Sequence, residues 1–272
     1  MNTLKNTSGI FAVMAILLVV CSYSINAQTL TSFEKRGKYG FKDETGKVIV
    51  EAKYKYVKEF SEGLAAVQLK DKWGFIDKTG QEVIAAEYSE VESFSDGLAV
   101  AKKGVLEKFG YINSKGEEAL PFKFASVGSF YHGFARVAAL VDSKLKLGFI
   151  DKSGNTVVNP VYDMVTQENE FWKVKLDGKT GFLDSTLRVA IPIEYDVTYS
   201  FSEGLIAVNI GGKFNDHYII EGGKWGFVDK QGVRVVPVIY DKVVHSFNSE
   251  GKAKVNLNGE EFIINKLGEK VN

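Results

Sequence analysis

The sequence predicts an all-β fold built from tandem repeats. Six times a glycine is followed directly by an aromatic residue and, fourteen residues after the glycine, by another aromatic ring. A constant offset inside a variable repeat length is the signature of a repeat protein. Glycine is abundant, with 27 residues, and proline is scarce, with 4, which indicates many short strands joined by tight turns. The glycines are Gly40, Gly74, Gly110, Gly148, Gly181 and Gly226, and the later rings are Tyr54, Tyr88, Phe124, Tyr162, Tyr195 and Tyr240.

The second repeat shows the local pattern most clearly. Its segment Lys72-Trp73-Gly74-Phe75-Ile76-Asp77 alternates side chains with the period of a strand. Asp77 and Gly80 then predict a turn, because Asp can accept backbone N–H groups and glycine adopts a positive φ. The same turn pair recurs as Asp43/Gly46, Asn113/Gly116, Asp151/Gly154, Asp229/Gly232 and Asn265/Gly268. The fifth repeat has Leu187 in place of the glycine, so we expect a longer or looser turn there.

Two further strands follow each turn. The second strand runs into the prolines, which predicts a strand end or a sheet edge because proline cannot donate a ladder hydrogen bond. After the aromatic ring come a valine and then a Phe-x-x-Gly step, with an apolar third strand behind it. The prolines are Pro121, Pro160, Pro192 and Pro237, and the Phe-x-x-Gly pairs are Phe60/Gly63, Phe94/Gly97, Phe130/Gly133 and Phe201/Gly204. Each unit is therefore predicted to be a three-stranded antiparallel meander.

We divide the chain into a leader and one continuous β domain. The domain covers residues 28–272, with six repeats starting near 38, 72, 108, 146, 179 and 224 and a partial seventh near 260. A degenerate last unit is typical of a cap, and together with the uneven spacing it favours an open superhelical stack. A closed β-propeller is the alternative, although propeller blades usually have four strands.

Residues 1–27 have the pattern of a secretory signal peptide. Lys5 precedes an apolar run from Ile10 to Val20, and Ala27 is a small residue before the predicted cleavage. We therefore expect an exported protein, located in the periplasm, on the cell surface or in the medium. Cys21 leaves lipidation open, and with it membrane association, although Val20 is bulkier than the small residue a lipidation motif prefers.

The repeats resemble the WG repeat family. Lys72-Trp73-Gly74-Phe75-Ile76-Asp77 and Lys224-Trp225-Gly226-Phe227-Val228-Asp229 carry the resemblance, which extends over about residues 38–272. Other copies replace the tryptophan, and Thr180-Gly181 departs most. The resemblance implies a mostly bacterial, often exported β-rich array, and no catalytic or ligand residue transfers with it. Because the tryptophan position also accepts Leu147, we interpret it as a packing position, with the glycine allowing a neighbouring backbone to approach.

Composition and motifs argue against several classes of function. Lys plus Arg and Asp plus Glu both number 34, so no basic excess favours nucleic acid. Each repeat offers one turn carboxylate, fewer oxygens than a calcium ion needs, so we expect no metal site. No phosphate loop or hydrolase motif occurs, and we predict no cofactor and no enzymatic activity. His132 replaces an acidic residue before a Phe-x-x-Gly glycine, which indicates a solvated turn residue.

The long fifth repeat supplies most of the candidate binding residues. Residues 211–223 form an insertion bracketed by Gly-Gly pairs, and its Tyr218-Ile219-Ile220 segment predicts an extended hairpin. Loops on a rigid scaffold commonly carry recognition, so Phe214, His217 and Tyr218 are candidate ligand-binding residues, against the alternative of a neutral length variation. Trp172 is the fourth candidate: strand alternation places one ring of Phe171 and Trp172 inside and the other outside, and Trp172, if outside, is an exposed aromatic, against the alternative that it is buried.

Three hypotheses for function follow. The first is a non-catalytic binding or scaffold protein that recognises an envelope or extracellular protein or glycan. The second is a structural envelope component without a discrete ligand. The third is a glycan-active hydrolase whose site is assembled from loops of several repeats.

Overall fold

The computed structural model describes residues 29–104 and 107–271, and within those ranges it contains 26 strands and no helix. The predicted signal peptide at 1–27, including Cys21, lies outside the described residues. Three of the strands form the first sheet, β1 (Thr31–Lys35), β2 (Lys38–Lys42) and β3 (Val48–Tyr54). The second sheet contains β4 (Tyr56–Val57), β5 (Leu64–Leu69), β6 (Lys72–Asp77) and β7 (Glu82–Tyr88). The third contains β8 (Glu90–Val91), β9 (Leu98–Lys102), β10 (Phe109–Asn113) and β11 (Glu118–Phe124).

The remaining strands form four more sheets. The fourth contains β12 (Phe134–Val141), β13 (Lys144–Asp151) and β14 (Thr156–Tyr162). The fifth contains β15 (Met164–Glu168), β16 (Phe171–Leu176), β17 (Lys179–Leu183) and β18 (Val189–Tyr195). The sixth contains β19 (Val197–Thr198), β20 (Leu205–Phe214), β21 (Ile220–Asp229) and β22 (Arg234–Tyr240). The seventh contains β23 (Lys242–His245), β24 (Lys252–Leu257), β25 (Glu260–Asn265) and β26 (Lys270–Val271).

The predicted all-β tandem array of antiparallel meanders is confirmed, with a difference in how sequence repeats map onto sheets. The strand after each Phe-x-x-Gly step pairs with the Trp-Gly strand of the following repeat, as β5 pairs with β6. Each sheet after the first therefore draws strands from two successive repeats. A short outer strand, unassigned in the sequence, precedes most of these meanders, so five of the seven sheets have four strands.

The motif glycine lies at a β-bulge. Trp73 is paired with Tyr88, and Phe75 is paired with Ile84, so the partner strand has extra residues opposite Gly74. A Cβ at Gly74 would lie 2.5 Å from the carbonyl oxygen of Ile84. The constant offset between the glycine and the later ring reflects the strand register across this bulge, in which Trp73 pairs with Tyr88. The predicted close approach of two backbones at the glycine is confirmed.

The Asp turns are built as predicted. The carboxylate of Asp77 accepts the backbone N–H groups of Thr79 at 2.9 Å and Gln81 at 3.0 Å. The Thr79 hydroxyl, followed by these N–H groups, lowers the pKa of Asp77. The expectation for the fifth repeat is wrong: Leu187 takes the glycine position at φ 65°, and its N–H donates to the Asp184 carbonyl at 3.0 Å. The turn keeps its length because the hydrogen bonds to Asp184 hold Leu187 in the left-handed region.

Edge strands and tight turns also match the sequence. All four prolines lie on β11, β14, β18 and β22, each at the end of its sheet's strand order. The Phe-x-x-Gly steps are two-residue turns in which both central residues have positive φ. His132, at φ 50° and exposed, occupies one of these turns.

Neighbouring sheets pack face to face. The hydroxyl of Ser95 donates to the Phe130 carbonyl at 2.6 Å, and the carboxylate of Asp96 accepts the Gly133 N–H at 2.6 Å, both across the interface between the third and fourth sheets. The Tyr88 hydroxyl donates to the Gly116 carbonyl in the turn of the next sheet at 3.4 Å. Ser61 and Ser202 make the same contact as Ser95, to the carbonyl oxygens of Phe94 and Phe247.

The core indicates an open array. Buried side chains form six clusters, and each cluster joins two consecutive sheets of the seven. A closed ring would need a seventh cluster between the first and seventh sheets. The described residues form none, which agrees with the predicted open stack rather than the propeller.

Candidate functional site

The insertion at residues 211–223 is an extended hairpin in the sixth sheet, as predicted. β20 and β21 continue past the end of the sheet and meet in a turn at residues 215–218. Asn215 accepts the backbone N–H groups of His217 and Ile219, each at 2.9 Å, and Tyr218 takes the left-handed position at φ 58°. The turn is thus another copy of the Asp turns, with a tyrosine where most of them have glycine.

A buried asparagine fixes the base of the hairpin. Asn209 is fully buried, and its side-chain oxygen accepts the N–H of Gly212 at 2.8 Å. A Cβ at Gly212 would lie 2.3 Å from that oxygen, and one at Gly223 would lie 2.3 Å from the nitrogen of Gly212. Gly211 and Gly223 also have positive φ. The Gly-Gly pairs therefore allow the strands to cross closely, and such bulges redirect a hairpin.

Asp196 anchors the hairpin base from outside. Its carboxylate accepts the Gly211 N–H at 2.7 Å and pairs with Lys179 at 2.6 Å. Burial raises the pKa of Asp196, but the hydrogen bonds from Lys179 and Gly211 outweigh that effect and leave it below its usual value. An ionised Asp196 thus links the hairpin to the fifth sheet.

A groove of about 530 Å³ lies between this hairpin and the start of the seventh sheet. Phe214 and Tyr218 line it from the hairpin, with 53% and 87% of their surfaces exposed. Tyr199 and Trp225 line it from the sheet, with ring centroids 4.6 Å apart and planes tilted by 35°. The groove therefore combines a packed aromatic wall with two exposed rings.

The polar groups of the groove are few. Thr198 is 9% exposed, and its buried hydroxyl has no hydrogen-bond partner among the described residues. Asp241 pairs with Lys224 and accepts the Asn258 N–H at 2.6 Å, and these two contacts lower its pKa. Lys242 is the other charged residue of the lining. One acid and one base leave the groove without net charge.

The structure thus brings together two of the four candidate residues. Phe214 and Tyr218 share the groove, whereas His217 is exposed at the hairpin turn and does not line it. Trp172 lies in a different sheet and is buried, at 3% exposure, as is Phe171 at 6%. The expectation that one ring of this pair faces outward is wrong, because the fifth sheet is covered on both faces.

Sequence analysis missed Thr198, Tyr199 and Trp225 as groove residues. Trp225 was assigned to packing, which it also performs, since it is buried in the cluster between the sixth and seventh sheets. Thr198 and Tyr199 belong to the short connection after Tyr195. A polar residue beside the hairpin insertion is too weak a signal to single them out.

The described ranges contain no group of three or more His, Cys, Asp or Glu side chains placed to bind a metal ion. Within those ranges no helix is long and apolar enough to span a membrane.

Comparison with known proteins identifies the repeats. Six segments match a family model described as WG containing repeat, at residues 39–73, 73–104, 109–138, 148–179, 181–214 and 225–260. A comparison with curated proteins gives no match.

Solved structures give only distant likenesses. A eukaryotic initiation factor structure has a TM-score of 0.47 at 12% identity, covering 89% of this chain and 72% of that one. AztD from Citrobacter koseri has a TM-score of 0.35 at 11% identity, covering 90% and 81%. A streptogramin B lyase has a TM-score of 0.32 at 14% identity, covering 86% and 91%. Scores this low carry no conclusion about function.

Proposed function

The chain belongs to the family of WG-containing repeat proteins, and on that premise we propose that it is an exported binding protein whose sixth-sheet groove takes a neutral glycan. One observation carries the proposal: the exposed rings of Phe214 and Tyr218 line the same groove as the packed ring pair of Tyr199 and Trp225. The composition of residues 1–27 supports export, to the periplasm, the cell surface or the medium.

The chemistry of the groove suits a sugar. Aromatic rings offer flat apolar faces to the C–H faces of a pyranose, and a hydroxyl can exchange hydrogen bonds with sugar hydroxyls. A volume of about 530 Å³ falls within the usual range of ligand pockets. Asp241 and Lys242 balance each other, so the lining gives no electrostatic preference for a charged ligand.

The lining favours binding over hydrolysis. Glycoside hydrolases generally use two carboxyl groups on either side of the scissile bond. Among the described residues that line the groove, Asp241 is the single carboxylate, and it already pairs with Lys224. Binding without turnover is therefore the function that these residues support.

A protein partner is the second candidate, supported by the hairpin tip. Ile219 is 60% exposed beside Tyr218, so the turn presents apolar surface outside the groove as well. Exposed aromatic anchors often carry much of the binding energy in protein interfaces.

The test is affinity electrophoresis of the purified protein in gels containing hydroxyethylcellulose or soluble starch, two neutral polysaccharides. We expect retardation in at least one gel, and loss of one ring by Phe214→Ala or Tyr218→Ala to weaken binding about tenfold, equivalent to about 1.4 kcal/mol. The matched control is Tyr56→Ala, since Tyr56 is a 52% exposed tyrosine on the second sheet.

A shortened variant separates the alternatives. Replacing residues 211–223 with Asn-Gly copies the two-residue turn of Asn258 and Gly259 in the seventh sheet. Retardation that survives this replacement contradicts the groove as the glycan site. If neither gel retards the protein and a partner protein is crosslinked to the intact chain but not to the shortened variant, the protein-partner hypothesis is favoured. If the shortened variant still associates with the cell envelope, a structural envelope component is favoured.

A further inference from the structure

A second cavity, of about 320 Å³, lies between the fourth and fifth sheets. Arg136 lines it from β12 and Trp172 from β16, while Val165, Thr166 and Gln167 contribute from β15. It is remote in sequence from the groove of the sixth sheet and shares no lining residue with it.

Arg136 and Trp172 occupy strand positions where most other sheets carry smaller residues, although the fifth sheet has Lys173 at the position of Arg136 and the sixth has Ile206 at the position of Trp172. In the fourth sheet, Val137 on β12 pairs with the motif glycine Gly148 on β13. Arg136 is the residue directly before Val137. The same position holds Ala66, Val100 and Ala207 in the second, third and sixth sheets. All three of these residues are buried against the following sheet, so Arg136 directs a charged side chain toward the fifth sheet.

Trp172 approaches the same space from the other side. It sits two residues before the partner of Gly181, and the equivalent residues of the second, third and fourth sheets are Ala65, Ala99 and Ala135. Its ring packs on Phe149 at 5.1 Å and on Tyr131 at 5.8 Å. The indole is 3% exposed, and its Nε1–H has no hydrogen-bond partner among the described residues.

A buried donor without a partner is costly, by about 1–3 kcal/mol, and therefore points to a group that the protein itself does not supply. Arg136 has spare donors as well. The one hydrogen bond recorded for its guanidinium runs from Nη1 to the Val165 carbonyl at 3.2 Å, and no described carboxylate forms an ion pair with it. The cavity thus gathers N–H donors and a positive charge without an acid among its described lining residues.

Gly128 keeps the arginine in place. Its N–H donates to the Arg136 carbonyl at 3.0 Å, and its own carbonyl accepts the Tyr111 hydroxyl at 2.7 Å. A Cβ at residue 128 would lie 3.1 Å from Nε of Arg136. The absence of a side chain at residue 128 therefore allows the arginine side chain to pack closely against this backbone.

We propose that this cavity is a second binding site and that it takes a small organic carboxylate, with Arg136 pairing with the carboxylate and the Trp172 indole N–H donating a hydrogen bond. Arginine matches a carboxylate because its planar fork can make two parallel hydrogen bonds. The hydroxyls of Ser129 and Thr166 and the amide of Gln167 at the mouth suit a ligand that also carries hydroxyl groups. A volume of about 320 Å³ is at the small end for ligand pockets, which fits a single sugar acid rather than a polymer.

The test follows the indole N–H resonances of the three tryptophans by ¹⁵N NMR, with Trp172→Phe assigning its own peak. Sodium glucuronate and glucose are the probes, because they differ in whether C6 is a carboxylate, and ionic strength is matched with NaCl. We expect glucuronate to shift the Trp172 resonance saturably, with at least tenfold tighter binding than glucose. Equal effects of the two sugars, or equally tight binding of inorganic phosphate, would overturn the assignment of a carboxylate ligand.

Variants test the arginine. Arg136→Met is expected to weaken glucuronate binding at least tenfold, and Arg136→Lys, which retains charge but lacks the fork, by a smaller factor. Lys254→Met is the matched control, because Lys254 occupies the equivalent strand position in the seventh sheet, where no further sheet follows. Unchanged affinity in Arg136→Met would refute the site. If that variant fails to fold, the comparison of glucuronate with glucose on the unaltered protein still decides.

Discussion

Replacing Gly74 with alanine should destabilise the second sheet through steric conflict alone. Gly74 is not among the glycines with positive φ, so alanine meets no backbone strain there. Its Cβ would instead lie 2.5 Å from the Ile84 carbonyl oxygen, 2.7 Å from the Ala86 nitrogen and 2.8 Å from the Ala85 carbonyl carbon. All three atoms are backbone, so relief requires shifting β7 and with it the pairing of Trp73 and Tyr88.

The magnitude follows from comparison with a glycine in the same sheet. Overpacking a close-packed site costs about 1–3 kcal/mol, and rigid backbone neighbours place Gly74→Ala near 3 kcal/mol or above. Gly63 has a φ of 85° and nothing within 4 Å of a built Cβ, so Gly63→Ala should cost only the left-handed strain of about 1–2 kcal/mol. The smaller entropy of the unfolded alanine chain affects both variants alike and cancels in the difference.

The assay is equilibrium urea unfolding, followed by tryptophan fluorescence and by far-ultraviolet circular dichroism. Both substitutions lie in the second sheet, so any departure from a single cooperative transition affects the two variants similarly. A loss of unfolding free energy in Gly74→Ala that is no larger than in Gly63→Ala would refute the assignment of the motif glycine to close backbone approach.

Three further predictions concern the contacts described above. Ser95→Ala should lower the unfolding free energy by about 1 kcal/mol through loss of the bond to Phe130, whereas Ser114→Ala, in an exposed turn, should leave the melting temperature unchanged. Asn209→Ala should cost about 1–3 kcal/mol and speed amide hydrogen exchange across 211–223; unaltered exchange there would contradict the role of Asn209 at the hairpin base. Burial, followed by the charge of Glu87, raises the pKa of Tyr88 to about 12. Because the folded state retains this proton more tightly than the unfolded state, the contribution of Tyr88 to the unfolding free energy should be fully present below pH 10 and fall as the pH rises from 10 toward 12. Urea titrations across that range should show a smaller decline of the unfolding free energy in Tyr88→Phe.

Much of the fold was predictable because the sequence pattern reports local backbone geometry. The offset from Gly74 to Tyr88 is a register, and Asp77 with Gly80 is a turn, so both can be recognised without knowing the neighbours. The boundaries between successive sheets were not predictable in the same way. A continuous meander has equivalent hairpins on either side of each strand, and only the passage from Tyr88 to Val91 into a new sheet shows where one ends.

The misassigned elements depended on burial between sheets, on hydrogen bonds within one turn and on the meeting of separate segments. Strand alternation correctly separates the faces of Phe171 and Trp172, but it cannot show that both faces are covered. Leu187 retains a turn that its side chain disfavours, because Asp184 supplies the same hydrogen bonds as the other turn acids. The groove joins Thr198, Phe214 and Trp225 from three segments of the chain, a meeting that no local pattern encodes.

Two tyrosines contact the turn of the sheet that follows them, which sets an order in which the array can be completed. Tyr88 and Tyr240 donate to glycine carbonyls 28 residues further along the chain, and the turn glycines Gly116 and Gly268 pack on Ile84 and Val236 of the preceding sheet. A chain that folds as it emerges from its amino end therefore completes these contacts of the second and sixth sheets only after most of another repeat has appeared. At a synthesis rate of about 5–20 residues per second, the turn emerges on the order of seconds after the tyrosine that contacts it. Interruption of synthesis at any repeat would leave one face of its last sheet uncovered.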